Sequence, residues 1–361
     1  MMKKQNIGVL TFQNTNNYGA CLQAVALYKI LERFGSNVEI IDYHNKRIDI
    51  NEVPPAITVK CLLNLKNMKR LLTCHRGLKK RFQGLREYMK LNCNISTSIY
   101  ESDQAYKVLQ KYDKVFVGSD QVWGMNITNN DMFYFAEFDN RDKLATKFYT
   151  YAVSAGKPWS KIQNEMVKKA IDNFRNLYVR ELSLKERLRE LTDREIQVVL
   201  DPTLLLDYKF WSSDIISHEV KEKYVLIYME SEKIINKAIE FARSKGYTVK
   251  VLNFYKKIKG VDNVKPITMM EFLQLIYNAE MVFTASFHGV CMSLNLHSNF
   301  VCDNYRNPER IRGLLELLKL EERSEVENVE NLAEINWEKV DEHLAMIREE
   351  SLKLLESCLN D

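Results

Sequence analysis

Short β-rich segments alternate with helical segments along most of the 361 residues of the chain. The first pair consists of residues 7–12 (IGVLTF) and residues 20–34, whose apolar side chains recur at helical spacing before Gly35. A repeated strand–helix order predicts parallel strands covered by helices on both faces of a sheet. The pattern is therefore typical of the α/β class, and its two halves predict two Rossmann-like domains that face each other across a cleft.

The two halves meet near residue 205, just after Asp201 and Pro202 and before the charged residues 221–223 (KEK). We therefore predict an N-terminal domain over residues 1–205 and a C-terminal domain over residues 206–361. The first domain contains a basic helical insertion at residues 56–92. The second ends in one long amphipathic helix at residues 336–359.

Composition excludes several classes of protein. With 46% hydrophobic and 28% charged residues, the chain is neither disordered nor fibrous. Its seven cysteines form no CxxC pair and are odd in number, which argues against a zinc ribbon and a disulfide framework. No uncharged run approaches the roughly 18 apolar residues of a membrane span, and the apolar run at residues 7–12 is too short for a signal peptide. We expect a cytoplasmic protein with no metal and no cofactor.

The net charge of +4 is unevenly distributed, because residues 60–90 hold ten basic residues and one acid, Glu87. Nucleic-acid-binding domains are usually basic as a whole, so we expect no nucleic-acid partner. Leucines within this segment predict a helix with one apolar side. Its basic side is either a solvated surface or a contact for anionic lipid headgroups or a lipid-linked substrate at the inner face of the membrane.

Two loops in the first half carry candidate binding residues. In QNTNNYGA at residues 13–20, Asn17 and Gly19 precede a helix whose first N–H groups suit a phosphate or sugar hydroxyls, although both residue types are also ordinary in turns. In GSDQVW at residues 118–123, Asp120 could deprotonate a hydroxyl and Trp123 could present its flat face to a sugar ring. The alternative is an aspartate that caps the next helix and a half-buried tryptophan.

Arg180, in VRE at residues 179–181, follows a predicted strand. Its guanidinium could grip a carboxylate or phosphate, or simply pair with Glu181 at the surface.

His288 gives the strongest signal, because it lies at a strand-to-helix turn between Ser286 and Gly289. A histidine at the amino end of a helix suits an anionic substrate, to which it could donate a proton or a charged hydrogen bond. Arg310, near the start of the next helix, is a second candidate for binding an anion.

Together these motifs resemble the polysaccharide pyruvyl transferase family. The resemblance runs from residue 7 to about residue 322 and does not include the basic insertion. It is carried, in the order of the family, by NNYGACLQAVAL (16–27), VEIIDY (38–43), VGSDQVW (117–123), YAVSAG (151–156), VRE (179–181), LDPTLLL (200–206), TASFHG (284–289) and RIRGLLELLKL (310–320).

The resemblance implies a GT-B-like pair of domains that binds phosphoenolpyruvate and transfers its pyruvate to two hydroxyls of one sugar. The product is a cyclic ketal in an exopolysaccharide or capsule precursor of a bacterium, and phosphate is released. The donor would bind to the second domain and the sugar acceptor, lipid-linked or nucleotide-linked, to the first. Some members of the family carry an arginine where this chain has Ser286, so one charge is missing from the donor site.

The resemblance also implies roles for individual residues. His288 would bind the donor, and Arg180 would bind its anionic groups. From the chemistry of ketal formation we add the hypotheses that His288 acts as general acid and that Asp120, at the end of a predicted strand, deprotonates an acceptor hydroxyl. These three are the candidate catalytic residues. The candidate substrate-binding residues are Asn17, Gly19, Ser119, Gln121, Trp123, Ser286, Gly289 and Arg310.

Two other functions stay open. A GT-B-type glycosyltransferase that uses a nucleotide sugar would share the scaffold, because a fold does not determine its donor. A binding subunit without catalysis could use the basic insertion to tether a polysaccharide assembly to the membrane.

Overall fold

The computed structural model describes residues 4–54, 65–213, 215, 222–229, 231–253, 257–303 and 308–361, with the backbone alone at residues 65–75 and 308. Part of the predicted basic insertion, residues 56–64, lies outside the described residues. By its contacts the chain divides into two compact units. The first contains Met1–Val53, Arg86–Leu205 and Met346–Asp361, and the second contains Pro54–Leu85 and Leu206–Ala345.

The first unit is built on a parallel sheet. Its elements, in chain order, are β1 (Asn6–Leu10), α1 (Tyr18–Arg33), β2 (Asn37–Ile40), α2 (Lys46–Glu52), α3 (Leu65–Asn92, which begins in the second unit), α4 (Ser102–Leu109), β3 (Lys114–Val117), α5 (Met125–Thr128), β4 (Lys147–Thr150), α6 (Lys161–Ala170), β5 (Tyr178–Val179), α7 (Leu182–Arg189), β6 (Gln197–Val198) and α8 (Pro202–Leu205). The strand order is β2-β1-β3-β4, and Ile7 of β1 lies opposite Val38 and Lys114. Strands β5 and β6 form a separate parallel pair.

Helix α1 shows how the sequence positions the edge of this sheet. Asn17 caps the helix, because its side chain accepts hydrogen bonds from the backbone N–H groups of Gly19 and Ala20. Most of the helix is buried, so its apolar face packs against the strands and its amino end points to their carboxyl edge.

The second unit repeats this construction. Its elements are α9 (Tyr208–Ser212), β7 (Tyr224–Tyr228), α10 (Glu232–Lys245), β8 (Thr248–Leu252), β9 (Asp262–Val264), α11 (Met269–Tyr277), β10 (Met281–Thr284), α12 (Phe287–Asn295), β11 (Phe300–Cys302) and α13 (Pro308–Leu318). All pairs are parallel in the order β11-β10-β7-β8-β9. Ser231, Thr268 and Ser286 cap the helices α10, α11 and α12 with their side-chain oxygens.

The long C-terminal helix α14 (Trp337–Asn360) begins in the second unit and ends in the first. Its last turn is held by Lys114, whose buried Nζ donates to the carbonyls of Cys358 (2.7 Å) and Leu359 (2.6 Å). Residues 346–361 therefore group with the first unit, whereas the predicted boundary put them in the second domain. Residues 54–85 group with the second unit although the sequence placed them in the first domain.

The α/β class with parallel sheets and a C-terminal helix confirms the predicted fold class. Aromatic side chains fill the core of the first unit, among them Trp123, Phe135 and Phe174. Of the helices in the described part of the chain, none is both long enough and apolar enough to cross a membrane.

Candidate functional site

Ser119 and Asp120 follow β3 at the carboxyl edge of the first sheet, as the sequence predicted. The backbone of Asp120 is in the left-handed region, with φ 69°, which is uncommon for a residue with a side chain. It is held there by the next loop, because the backbone N–H of Ser154 donates to the Asp120 carbonyl at 2.9 Å. Such conformations persist where the surroundings enforce them, and they cluster at functional sites.

The guanidinium of Arg180 lies at the centre of three carboxylates. Its Nη1 is 2.7 Å from Oδ2 of Asp201, Nη2 is 3.4 Å from Oδ1 of Asp120, and Nε is 3.8 Å from Oε2 of Glu181. We call these four residues the arginine cluster. The surface pair of Arg180 with Glu181 that the sequence left open is instead a buried network.

Burial alone lowers the pKa of the Arg180 guanidinium, but the carboxylates of Asp201, Asp120 and Glu181 outweigh it and hold that pKa above the ordinary value. Arg180 is therefore a permanent cation. Since one cation faces three carboxylates, an anionic donor could reach Arg180 only by displacing one of them. The role of Arg180 in donor binding stays a prediction.

Asp120 is the carboxylate of the arginine cluster that reaches solvent. Its side chain is 12% exposed, against 4% for Glu181 and 0% for Asp201. The cluster thus presents one carboxylate outwards and keeps two inside, an arrangement that suits a base acting on a hydroxyl.

Asp201 and Gln23 position this edge and were not singled out by the sequence as site residues. Asp201 Oδ2 accepts a hydrogen bond from Ser119 Oγ (3.2 Å), and its Oδ1 accepts from the backbone N–H of Thr203 (3.0 Å). Gln23 Oε1 accepts from the backbone N–H of Ser119 (3.1 Å). The position of Asp201 after β6, within LDPTLLL, was the available signal.

Trp123 does not face a sugar-binding surface, which corrects the expectation from the sequence. Its side chain is fully buried, its ring stacks on Phe135 with centroids 4.9 Å apart, and its Nε1 donates to the carbonyl of Tyr134 (3.0 Å). The indole has an apolar environment and a hydrogen-bond partner, so the core of the first unit is where it is most stable.

Asn17, Gly19 and Gln121 lie on the loops that the sequence indicated. The Asn17 side chain accepts from the N–H of Gly19 (2.9 Å), so the amino end of α1 is capped by the chain itself. Gln121 is half-buried and lies against Gly156, where a Cβ would come within 2.0 Å of its Nε2. The contacts of these residues with a substrate stay predictions.

In the second unit, Ser286, His288 and Gly289 form the turn from β10 into α12. Ser286 Oγ accepts from the N–H of Gly289 (3.2 Å), which starts the helix, and His288 lies in the first helical turn. His288 is buried at the amino end of α12, where the partial positive charge of the helix favours an anion.

Gly289 permits the close approach of α12 to the sheet. A Cβ at this position would lie 2.4 Å from Oγ1 of Thr284, which itself donates to the carbonyl of Tyr228 (2.7 Å). A larger residue there would force the side chain of Thr284, or the helix itself, to shift.

Arg310 places a cation near the His288 turn. It is buried, and its guanidinium carbon lies 5.7 Å from the ring centroid of Phe287. The ring centroids of Phe287 and His288 are 5.4 Å apart, so Phe287 lies beside both the Arg310 guanidinium and the His288 imidazole. The structure therefore brings the predicted donor-binding residues of this unit to one place.

Among the described residues, no group of three or more His, Cys, Asp or Glu side chains could hold a metal ion.

Solved structures similar to this chain are of the GT-B type. An alpha-glucosyltransferase in complex with UDP and a 13-mer DNA aligns over 98% of this chain and 95% of its own length, with a TM-score of 0.50 and 9% identity. The UDP-GlcNAc 2-epimerase from Neisseria meningitidis, bound to UDP-GlcNAc, aligns over 99% and 100% with a TM-score of 0.49 and 10% identity. At such low identity the likeness concerns the fold alone.

No curated protein sequence matches the chain. A family model does match: that of polysaccharide pyruvyl transferase, over residues 17–307. The match includes β3 with Asp120, the Arg180 segment and the His288 turn, so it extends across both units. This chain belongs to the polysaccharide pyruvyl transferase family.

Proposed function

We propose that the protein transfers pyruvate from phosphoenolpyruvate to two hydroxyls of a sugar in an exopolysaccharide or capsule precursor. The observation that carries the proposal is the position of His288, in the first turn of α12 with Arg310 nearby. Phosphoenolpyruvate carries a phosphate and a carboxylate close together, and helix N–H groups with two cationic side chains suit such a dianion.

The reaction is an addition followed by a substitution. His288, as imidazolium, delivers a proton to the methylene carbon of the donor, and the first hydroxyl attacks the adjacent carbon, which has oxocarbenium character. The second hydroxyl then displaces phosphate. The base that accepts the two hydroxyl protons releases both of them: one restores the proton on His288 and the other is taken up by the departing phosphate, so the products are the cyclic ketal and inorganic phosphate.

In the first unit, Asp120 would act as the base for the acceptor hydroxyls. Its support is the solvent access of its carboxylate and its fixed backbone, whereas Glu181 and Asp201 are enclosed. Arg180 then acts as a positioning residue, since its guanidinium holds the Asp120 carboxylate at 3.4 Å.

Calorimetric titration with phosphoenolpyruvate tests the donor site. We expect saturable binding that His288→Ala and Arg310→Ala each weaken by about tenfold or more, since each removes a charged contact. The matched control is His297→Ala, a histidine of the same unit that pairs with Asp341 (3.1 Å), and it should bind the donor normally.

UDP-sugars titrated in parallel test the alternative of a glycosyltransferase. Saturation by a UDP-sugar together with no binding of phosphoenolpyruvate would overturn pyruvyl transfer in favour of that alternative.

Asp120→Asn tests the base. We expect phosphate release in the presence of acceptor to fall by about 10²- to 10⁴-fold while phosphoenolpyruvate binds as before. Nearly full turnover with unchanged acceptor affinity would show that Asp120 is not the base.

We also propose that the enzyme works in a reducing compartment and contacts the inner face of the membrane, where a lipid-linked acceptor would lie. Cys93, Cys302 and Cys358 are buried free thiols, which supports the compartment. Arg76, Lys79 and Lys80 of α3 are exposed and could meet anionic headgroups. Co-sedimentation with vesicles containing phosphatidylglycerol, but not with phosphatidylcholine vesicles, is the expected result, and neutralising the three residues should abolish it.

A further inference from the structure

A second network of charged side chains lies in the first unit, around His44. This residue follows β2 and sits between two carboxylates: its Nδ1 is 2.9 Å from Oδ2 of Asp49 in α2, and its Nε2 is 3.5 Å from Oδ2 of Asp42. The ring also stacks on Tyr100, with centroids 4.3 Å apart. The function proposed above assigns no role to any of these side chains.

The charges of this network balance only when His44 is an imidazolium. Asp42 and Asp49 contribute two negative charges, and Arg86 of α3 contributes one positive charge, with Nη1 3.7 Å from Oδ1 of Asp42. A protonated His44 supplies the second positive charge, and its two ring N–H groups then donate to the carboxylates of Asp42 and Asp49. Hydrogen bonds to Asp42 and Asp49 outweigh burial and raise the pKa of His44 to about 9.

The two carboxylates that His44 holds are also the anchors of the loop at residues 13–17. Gln13 Nε2 donates to Oδ1 of Asp42 (3.0 Å), and Asn14 Nδ2 donates to Oδ1 of Asp49 (2.7 Å). This loop leaves β1 and ends at Asn17, the exposed cap of α1. The imidazole of His44 thus holds Asp42 and Asp49 in place, and these are the two residues to which the loop is hydrogen-bonded.

We propose that His44, as an imidazolium, is a positioning residue for recognition of the acceptor, because it holds Asp42 and Asp49 in place to anchor the loop at residues 13–17. The ligand class is a sugar whose hydroxyls meet the exposed residue Asn17 at the end of this loop, so the inference rests on the proposed function. Loss of the charge leaves the buried Asp42 and the partly exposed Asp49 without the cation that lies between them, and Arg86 faces Asp42 at 3.7 Å. The repulsion between the two carboxylates would then loosen the contacts of Gln13 and Asn14.

Hydrogen exchange of the backbone amides of residues 13–20, measured between pH 6 and pH 10, tests the anchor without any substrate. Protection of these amides, relative to their intrinsic exchange rates, should be full below about pH 6.5 and fall by about tenfold or more as the pH rises through 9. The protection should be low and independent of pH in His44→Gln. His44→Lys restores a cation and should keep the loop protected up to pH 9.

The matched control is His297→Gln, which removes a histidine paired with Asp341 in the other unit and should leave residues 13–20 protected as in the wild type. Wild-type protection that does not change with pH would overturn the proposal. This result needs no variant, so it decides even if His44→Gln fails to fold.

Steady-state kinetics test whether the loop at residues 13–17 contributes to binding of the sugar acceptor. With a p-nitrophenyl hexoside that supports phosphate release, His44→Gln should raise the KM for the hexoside about tenfold or more and leave the affinity for phosphoenolpyruvate unchanged. An unchanged KM beside a loosened loop would overturn the role in recognition. Absence of phosphoenolpyruvate binding in the wild type would instead refute the proposed function. The hydrogen-exchange result would still decide whether His44 holds the loop at residues 13–17 in place.

Discussion

Arg180 and Asp201 form a buried ion pair in which Nη1 lies 2.7 Å from Oδ2, with the two side chains 2% and 0% exposed. The pair joins β5 to the segment after β6 and holds Ser119 through a further hydrogen bond to Asp201. A charge enclosed in this way is stable only with its partner, because removal of one leaves the other uncompensated in a low dielectric.

We therefore expect Asp201→Ala to lower the free energy of unfolding by about 3–5 kcal/mol, as measured by urea denaturation. The control is Arg312→Ala, which breaks the exposed pair of Arg312 with Glu316, also at 2.7 Å, and should leave the urea midpoint unchanged. Equal effects of the two substitutions would contradict a special role for the buried pair.

Gly289→Ala should destabilise the protein by about 1–3 kcal/mol, because the new methyl group meets Thr284 Oγ1 at 2.4 Å. It should also weaken phosphoenolpyruvate binding, since α12 carries His288. Gly313→Ala is the matched control in another helix: because no atom of the described residues lies within 4 Å of its Cβ position, it should stabilise by about 0.5–1 kcal/mol. Thermal unfolding measures both, and Thr284→Ala should partly rescue Gly289→Ala.

Trp123→Ala should cost about 3–5 kcal/mol of stability, because the indole is fully buried against Phe135. The milder Trp123→Phe should lower the melting temperature yet keep turnover per folded molecule. A variant that melts like the wild type but has lost its affinity for the sugar acceptor would return Trp123 to the binding site.

Lowering the pH should reveal how much Asp42 contributes to the free energy of unfolding. Burial raises the pKa of this carboxyl, but hydrogen bonds from His44, Ser98 and Gln13 and the charge of Arg86 outweigh it and hold the pKa well below the ordinary 3.8. The resulting stability is present above pH 3.8 and is lost as the pH falls below it. Asp42→Asn should therefore be less stable than the wild type at pH 7, and the difference between the two free energies of unfolding should shrink towards pH 2. A difference that stays constant with pH would exclude this linkage.

The first predicted strand was found at its expected place, but its end differs. The apolar run at residues 7–12 predicted a strand through Phe12, whereas β1 ends at Leu10. Thr11 and Phe12 are nevertheless buried, and Thr11 Oγ1 donates to the carbonyl of Ser119 (3.1 Å). An apolar run predicts that its side chains are buried, but it does not predict the residue at which the backbone leaves the sheet.

The site was predictable to the extent that it depends on local order along the chain. His288 at the start of α12 and Asp120 after β3 follow from the strand-to-helix pattern, since parallel strands place their carboxyl ends at one edge. The network around His44 left no comparable signal, because Asp42, Asp49 and Arg86 come from separate elements and meet only in the folded first unit.

By itself, the sequence determined the parallel α/β architecture and the edge at which its polar residues gather, because hydropathy and capping act between near neighbours in the chain. Only the tertiary structure decided that Arg180 is enclosed by Asp120 and Asp201, 60 and 21 residues away, and that Trp123 is buried in the core. Which charges meet, and which aromatic side chains lose contact with water, depends on how distant elements pack, and no local pattern records that choice.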